Sequence, residues 1–197
     1  NAGETGRWTI VSPDSICWKV NGAHHDHIEM SGLKVSTVLR YGVNETGEWV
    51  IDRNIVLPTF RTIPNDTHAS LQHRFNGDWA YLCLVNGQPL LGEKVETISL
   101  SGVMTVKSIY SDKGIALTRT LFPSTSYPVF CEKYELENVT DRSLTVEFPS
   151  NSLSYRTDEA RGVEGSYTLT ATLSSPAKEG VCQLKAGEKA CFQVLYA

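Results

Sequence analysis

A run of period-two alternation between Gly102 and Phe148 constrains this chain more than any other feature. Val103, Thr105, Lys107 and Ile109 alternate with Met104, Val106, Ser108 and Tyr110. After the turn Ser111-Asp112-Lys113-Gly114, Ile115, Leu117, Arg119 and Leu121 alternate with Ala116, Thr118, Thr120 and Phe122. A loop bounded by Pro123 and Pro128 follows, then Val129 to Asn138, a polar turn at Thr140-Asp141-Arg142, and Leu144 to Phe148. Successive side chains of a strand point to opposite faces. Alternation interrupted by turn residues therefore predicts consecutive antiparallel strands.

The same signature recurs on both sides of this meander. Arg7 to Val11 and Ile16 to Val20 flank Ser12-Pro13-Asp14. Lys34 to Val43 places Val35, Thr37, Leu39 and Tyr41 on one face; after Asn44-Glu45-Thr46-Gly47, Trp49, Ile51 and Arg53 return against Val50 and Asp52. Ile55-Val56-Leu57 then meets Pro58, which has no N–H for a ladder, so pairing is expected to break there or to lie at an edge. Phe60 to Ile63 and Ala69 to Phe75 flank the turn Pro64-Asn65-Asp66. Trp79 to Val85, Val95 to Leu100, Asn151 to Tyr155, Tyr167 to Leu173, Val181 to Leu184 and Cys191 to Leu195 complete about fourteen expected strands. The polar stretch from Arg156 to Gly165 reads as a loop or a single helical turn. No window sustains a helical apolar repeat. So many strands exceed one flat sheet, and the expected fold is all-β: a large two-layer antiparallel β-sandwich, one domain over residues 1–197.

Composition narrows the function classes. The 197 residues carry a net charge of −4, with 41% hydrophobic and 20% charged side chains, which is ordinary globular composition. A chain of this size buries roughly 70% of its unfolded surface, enough for a core without staples. The acidic balance and the lack of any basic run argue against nucleic acid as a partner. No apolar stretch approaches the roughly 20 residues that cross a bilayer, so no membrane span is expected. The chain opens on Asn1-Ala2-Gly3 without methionine, as in a processed or trimmed polypeptide. Its five cysteines are scattered and odd in number, unlike a dense disulfide framework. Cys182 and Cys191 fall opposite each other if the chain forms a symmetric hairpin around Lys185-Ala186-Gly187-Glu188. They read either as a disulfide or, more simply, as two small core fillers.

Two polar clusters are candidates for chemistry. The first is His24-His25-Asp26-His27-Ile28-Glu29. In an extended segment His25, His27 and Glu29 share one face and Asp26 takes the other. Two imidazoles and a carboxylate suit a divalent metal, yet no further ligand at recognisable spacing completes a site. The alternatives are a polar strand entry, or contact with sugar hydroxyls or a neighbouring domain. The second cluster, Arg61 to His68, contains Arg61, Asn65, Asp66 and His68, with His73 and Arg74 nearby. Asx and Pro chemistry accounts for a turn there, but the cationic donors exceed what a turn requires. Trp8 and Trp18 are either core anchors or stacking platforms, with core the simpler reading. There is no Gly-rich phosphate loop, Cys-x-x-Cys, His-Glu-x-x-His or Gly-x-Ser-x-Gly motif. Spacing nominates no catalytic carboxylate pair, no metal and no cofactor.

Two stretches carry a family resemblance. Gly114-Ile-Ala-Leu-Thr-Arg-Thr-Leu-Phe-Pro123 followed by Tyr134-Glu-Leu-Glu-Asn138 resembles a segment of the N-terminal β-supersandwich of two-domain six-hairpin glycosidases. The end, Leu184 to Ala197, is similar to the final strand pair of such domains, with its Gly-Glu turn. His25 to Gly32 and Arg61 to Ala69 resemble members of this type from gut Bacteroidetes. The resemblance implies a galactose-mutarotase-like supersandwich, the N-terminal part of a longer protein that is periplasmic or secreted and processes polysaccharide. It implies an (α/α)6 helical barrel as partner, which would carry the acid and base and is not in this chain. By that analogy His24, His25, Asp26, His27, Glu29, Arg61, Asn65, Asp66 and His68 are the rim or interdomain candidates. Two other readings stay open: a stand-alone carbohydrate-binding module using Trp8, Trp49 or Trp79 as platforms, and a mutarotase-like sugar epimerase with a glutamate base and histidine acid.

Overall fold

The computed structural model describes residues 6–63 and 69–197. In chain order the strands are β1 (Thr9–Ser12), β2 (Ser15–Lys19), β3 (His24–Ser31), β4 (Ser36–Val43), β5 (Trp49–Arg61) and β6 (Ser70–Asn76). There follow β7 (Leu84–Val85), β8 (Gln88–Pro89), β9 (Lys94–Leu100), β10 (Met104–Tyr110), β11 (Ile115–Pro123) and β12 (Phe130–Asn138). The last are β13 (Leu144–Glu147), β14 (Ser152–Arg156), β15 (Thr168–Ser174), β16 (Val181–Leu184) and β17 (Lys189–Tyr196). Among the described residues the only helical elements are short 3-10 turns. The chain is all-β.

Nine strands form one antiparallel sheet in the order β1-β2-β9-β10-β11-β12-β17-β15-β14. Its inner face is the alternation expected from sequence: Met104, Val106 and Tyr110 on β10, Ile115, Leu117 and Leu121 on β11, and Phe130, Tyr134 and Leu136 on β12 are all buried. Over that face lie two four-stranded sheets, β3-β4-β5-β6 and β16-β13-β7-β8. Phe75 of β6 meets Tyr196 at 5.1 Å between ring centroids, and Phe148, just past β13, meets Phe192 at 5.6 Å. Both partners lie on the same face of β17, so the two smaller sheets together make the second layer of a sandwich. The buried apolar side chains of both layers form one cluster. At roughly 25 cal/mol per Å² of apolar surface removed from water, this shared core dominates the driving force for folding.

Pro58 acts as anticipated. Strand β5 runs on to Arg61, but its pairing with β6 jumps from Leu57↔Leu71 to Arg61↔Ser70, because proline offers no N–H.

Four sequence expectations need correction. There are seventeen strands, some of them only two residues long. Leu144 to Phe148 does not extend the meander; β13 crosses to the second layer and pairs with β16 and β7. The buried Asn138 redirects the chain there. Its Oδ1 accepts from Thr140 N (2.9 Å) and Thr140 Oγ1 (2.7 Å), while its Nδ2 donates to the carbonyls of Arg142 (2.5 Å) and Leu184 (2.9 Å). Trp79 to Val85 is not a strand: Ala80–Leu82 is a 3-10 turn and only Leu84–Val85 pairs. Finally, Cys182 and Cys191 are not cross-strand partners. Cys182 faces Val146 on β13 and Cys191 faces Glu135 on β12, in different sheets, and all five cysteines are free.

The layers are joined by charge as well as by apolar contact. Arg53 of β5 is fully buried and reaches Glu132 of β12 through Nε (2.5 Å) and Nη2 (3.1 Å). Tyr134 and Tyr196 each donate to Glu132 Oε2 at 3.0 Å. Burial opposes the charge on Arg53, but Glu132 raises its pKa overall, so it stays a cation. Removing one member of such a pair strands the other charge in the core. We expect Arg53→Leu to cost about 3–5 kcal/mol in urea unfolding. The double variant Arg53→Leu/Glu132→Leu is expected to recover most of that loss; additive losses would contradict the pairing.

Candidate functional site

The first polar cluster lies on β3, at the edge of its sheet. His25, His27 and Glu29 point outward and His24 and Asp26 inward, the division expected from sequence. Glu29 accepts from Ser36 (2.7 Å) and Ser31 (3.1 Å), and these bonds hold its carboxyl below the usual range. His24 meets the buried Trp18 edge-on at 6.1 Å and stands 4.0 Å from Asp26. Asp26 faces Tyr41 across β4, and the Tyr41 hydroxyl is pushed up to about 12 by burial and by the Asp26 charge, against the pull of Arg7. Gly42 has a structural reason to be glycine: a Cβ would sit 2.2 Å from the carbonyl oxygen of His24. Among the described residues no group of three His, Cys, Asp or Glu is arranged to hold a metal ion.

Arg61 ends β5, whose first residue, Trp49, lies level with His24 through Val43. About 40 Å of extended chain separates those ends, whereas Glu29, at the other end of the cluster, lies level with Asn54 through Val38, about 23 Å of extended chain from Arg61. Arg61 Nη1 lies 3.5 Å from Ser70 Oγ. Asn65, Asp66 and His68 fall outside the described residues. His73 stacks on Tyr155 at 4.0 Å, and burial lowers its pKa. The tryptophans proposed as platforms are mostly core: Trp49 and Trp79 are buried, and only Trp8 is half-exposed.

A third cluster, not singled out in the sequence, is the most organised polar site. Arg119 occupies an inward position of β11, where β-alternation sends it into the sandwich. Its Nε and Nη2 grip Asp78 (3.2 and 2.7 Å), and its Nη1 donates to Glu93 (2.6 Å) and Ser108 (3.4 Å). Glu93 also accepts from the Trp49 backbone N–H at 3.0 Å. Burial works against ionisation of Glu93, but the Arg119 charge and these hydrogen bonds hold its pKa below the ordinary value. Burial raises the pKa of the adjacent Tyr110, which stays a neutral hydroxyl. The Trp49 indole N–H is buried with no hydrogen-bond partner among the described residues.

Asp78, Glu93 and Tyr110 open onto a hollow of about 330 Å³, walled also by Trp49, Tyr81 and Leu90, with Glu48 beside them. A second hollow of about 230 Å³ shares Asp78 and Tyr81 and adds Asn76, Asn151 and Leu153. Tyr81, which lines both, is 56% exposed. Its ring offers an apolar face to a ligand, and the carboxylates offer acceptors for hydroxyl groups. The sequence did hold a signal for this site: Arg119 falls in the apolar register of β11. The sequence matches no protein-family model, and no curated protein is significantly similar to it. No helix among the described residues is long and apolar enough to cross a membrane.

The depressed Glu93 carboxyl makes stability depend on pH. Its contribution is complete above the unfolded value near 4.5 and is lost as pH falls through the lower folded value. Urea midpoints measured from neutral pH down through about 4 should fall in the native chain. Glu93→Gln is expected to be less stable at neutral pH and to show a flatter acid limb. An acid limb unchanged by Glu93→Gln would contradict the assignment.

Proposed function

We propose that the chain is a non-catalytic β-sandwich domain of a glycoside hydrolase-like protein and that the Tyr81 hollow contacts carbohydrate. One observation carries this reading: an exposed tyrosine ring stands beside two carboxylates that are both ion-paired to Arg119. Glycoside hydrolysis needs one carboxyl group that is protonated and free to donate. Glu93 is held ionised, and Arg119 occupies both oxygens of Asp78. In that setting the two groups are hydrogen-bond acceptors for sugar hydroxyls.

The proposal extends to the (α/α)6 helical domain as partner and to a periplasmic or secreted setting. The outward face of β3–β6 supports a partner contact. There His25, His27 and Glu29 share an outward face with Arg40, Asp52, Asn54 and Arg74 and with the exposed Val38 and Val50.

A panel of neutral and charged oligosaccharides, followed by calorimetry, tests the reading. We expect binding without hydrolysis. Tyr81→Ala should weaken it about tenfold or more with little change in melting temperature, since the ring is largely exposed. Binding of no glycan, or binding indifferent to Tyr81, would overturn it.

A further inference from the structure

We propose that the hollow lined by Glu48, Asp78, Glu93, Trp49, Tyr81 and Tyr110 selects sugars bearing a protonated amino group. This inference rests on the carbohydrate reading and narrows it to a substrate class. The argument is one of charge and donor count. Three carboxylates meet one guanidinium, which leaves an excess of two negative charges around the hollow. Arg119 stands behind the carboxylates rather than beside the ligand space. It is 1% exposed, and its Nε, Nη1 and Nη2 atoms all donate to Asp78, Glu93 or Ser108. No Lys, Arg or His is among the described residues that line the hollow. Lys94 is not among the lining residues; its ammonium donates to the carbonyl oxygen of Thr46, two residues before Glu48.

Carboxylates only accept hydrogen bonds. A hydroxyl offers one donor, whereas an ammonium offers three together with a full charge, and charge-assisted bonds are roughly twice as strong as neutral ones. The exposed Tyr81 ring acts in the same direction, because a tyrosine face attracts a cation; Trp49 already has the Arg119 guanidinium over its ring at 5.8 Å. A uronic acid, by contrast, would bring a carboxylate against three others. The hollow therefore rejects anionic sugars and prefers amino sugars over their neutral analogues.

Three β-linked trisaccharides that differ only at C2 isolate this effect: glucosamine, N-acetylglucosamine and glucose trimers, each titrated calorimetrically where the free amine is protonated. We expect the glucosamine trimer to bind about tenfold more tightly than either neutral trimer, with an affinity that falls as salt is raised. Glu48→Gln, a substitution at an exposed side chain, should shrink that preference, weakening the glucosamine trimer by a larger factor than either neutral trimer. Equal affinity for the three, or a preference for a neutral trimer, overturns the amino-sugar assignment but leaves Tyr81-dependent carbohydrate binding standing. Binding of none of the three also overturns it. Failure of the wider glycan panel would remove the carbohydrate reading itself.

Discussion

Two guanidinium groups buried between the layers set the terms for the rest of this structure. Removing an ion from water costs several kcal/mol even after relaxation, so each must be met by charge and by directed acceptors. Arg53 and Arg119 project from opposite layers, and both reach the short segment Gly77-Asp78-Trp79. Arg53 donates to the Gly77 carbonyl at 2.7 Å, and Arg119 holds both oxygens of Asp78. Trp79 Nε1 donates to the Tyr196 hydroxyl at 2.8 Å, which in turn donates to Glu132, the partner of Arg53. The two networks thus converge on three consecutive residues. A chain pinned at three successive points to two layers cannot run as a regular strand, which accounts for the 3-10 turn at Ala80–Leu82.

The candidate site is a product of that irregularity. Regular strands present alternate faces to core and solvent, and they leave few concave places between them. The turn after Trp79 instead lifts Tyr81 out to solvent while Ala80 and Cys83 stay buried. It places Asp78 where its carboxylate is anchored at the back by Arg119 and still partly open at the front, its side chain 15% exposed. Anchored acceptors lose little freedom when a ligand arrives, which is the usual advantage of a preorganised site. The Arg119 charge that anchors Glu93 also holds its carboxyl below the ordinary value.

Much of the fold was legible in the sequence because period-two alternation is a local signal. Val35, Thr37, Leu39 and Tyr41 share a buried face as their spacing requires. What alternation cannot supply is the stacking of one sheet on another. Arg53, Arg119 and Glu132 each sit in an otherwise apolar register, between Ile51 and Ile55, Leu117 and Leu121, and Phe130 and Tyr134. A charge in that position announces a buried partner, yet the partner lies 79 residues away for Arg53 and 41 for Arg119 with Asp78. Cys182 and Cys191 are free, as the simpler reading has them, and they are not opposite each other for a related reason. A tight turn implies a hairpin only if its arms share a sheet, and here the turn carries the chain between layers. Trp79 to Val85 read as a strand because its residues are bulky and apolar, but burial there follows tertiary pinning rather than alternation. The His24 to Glu29 division into two faces was correct.

Hydrogen exchange at the Leu82 and Cys83 amides tests the central claim most directly. These N–H groups donate to Trp79 and Ala80 carbonyls within the turn that the two networks are said to fix. In the native chain they should exchange on the timescale of the core strands. In an Arg119→Met variant they should lose protection more than the amides of β11 and β12. Unchanged protection in the turn, or a uniform loss across the whole sandwich, would contradict the account.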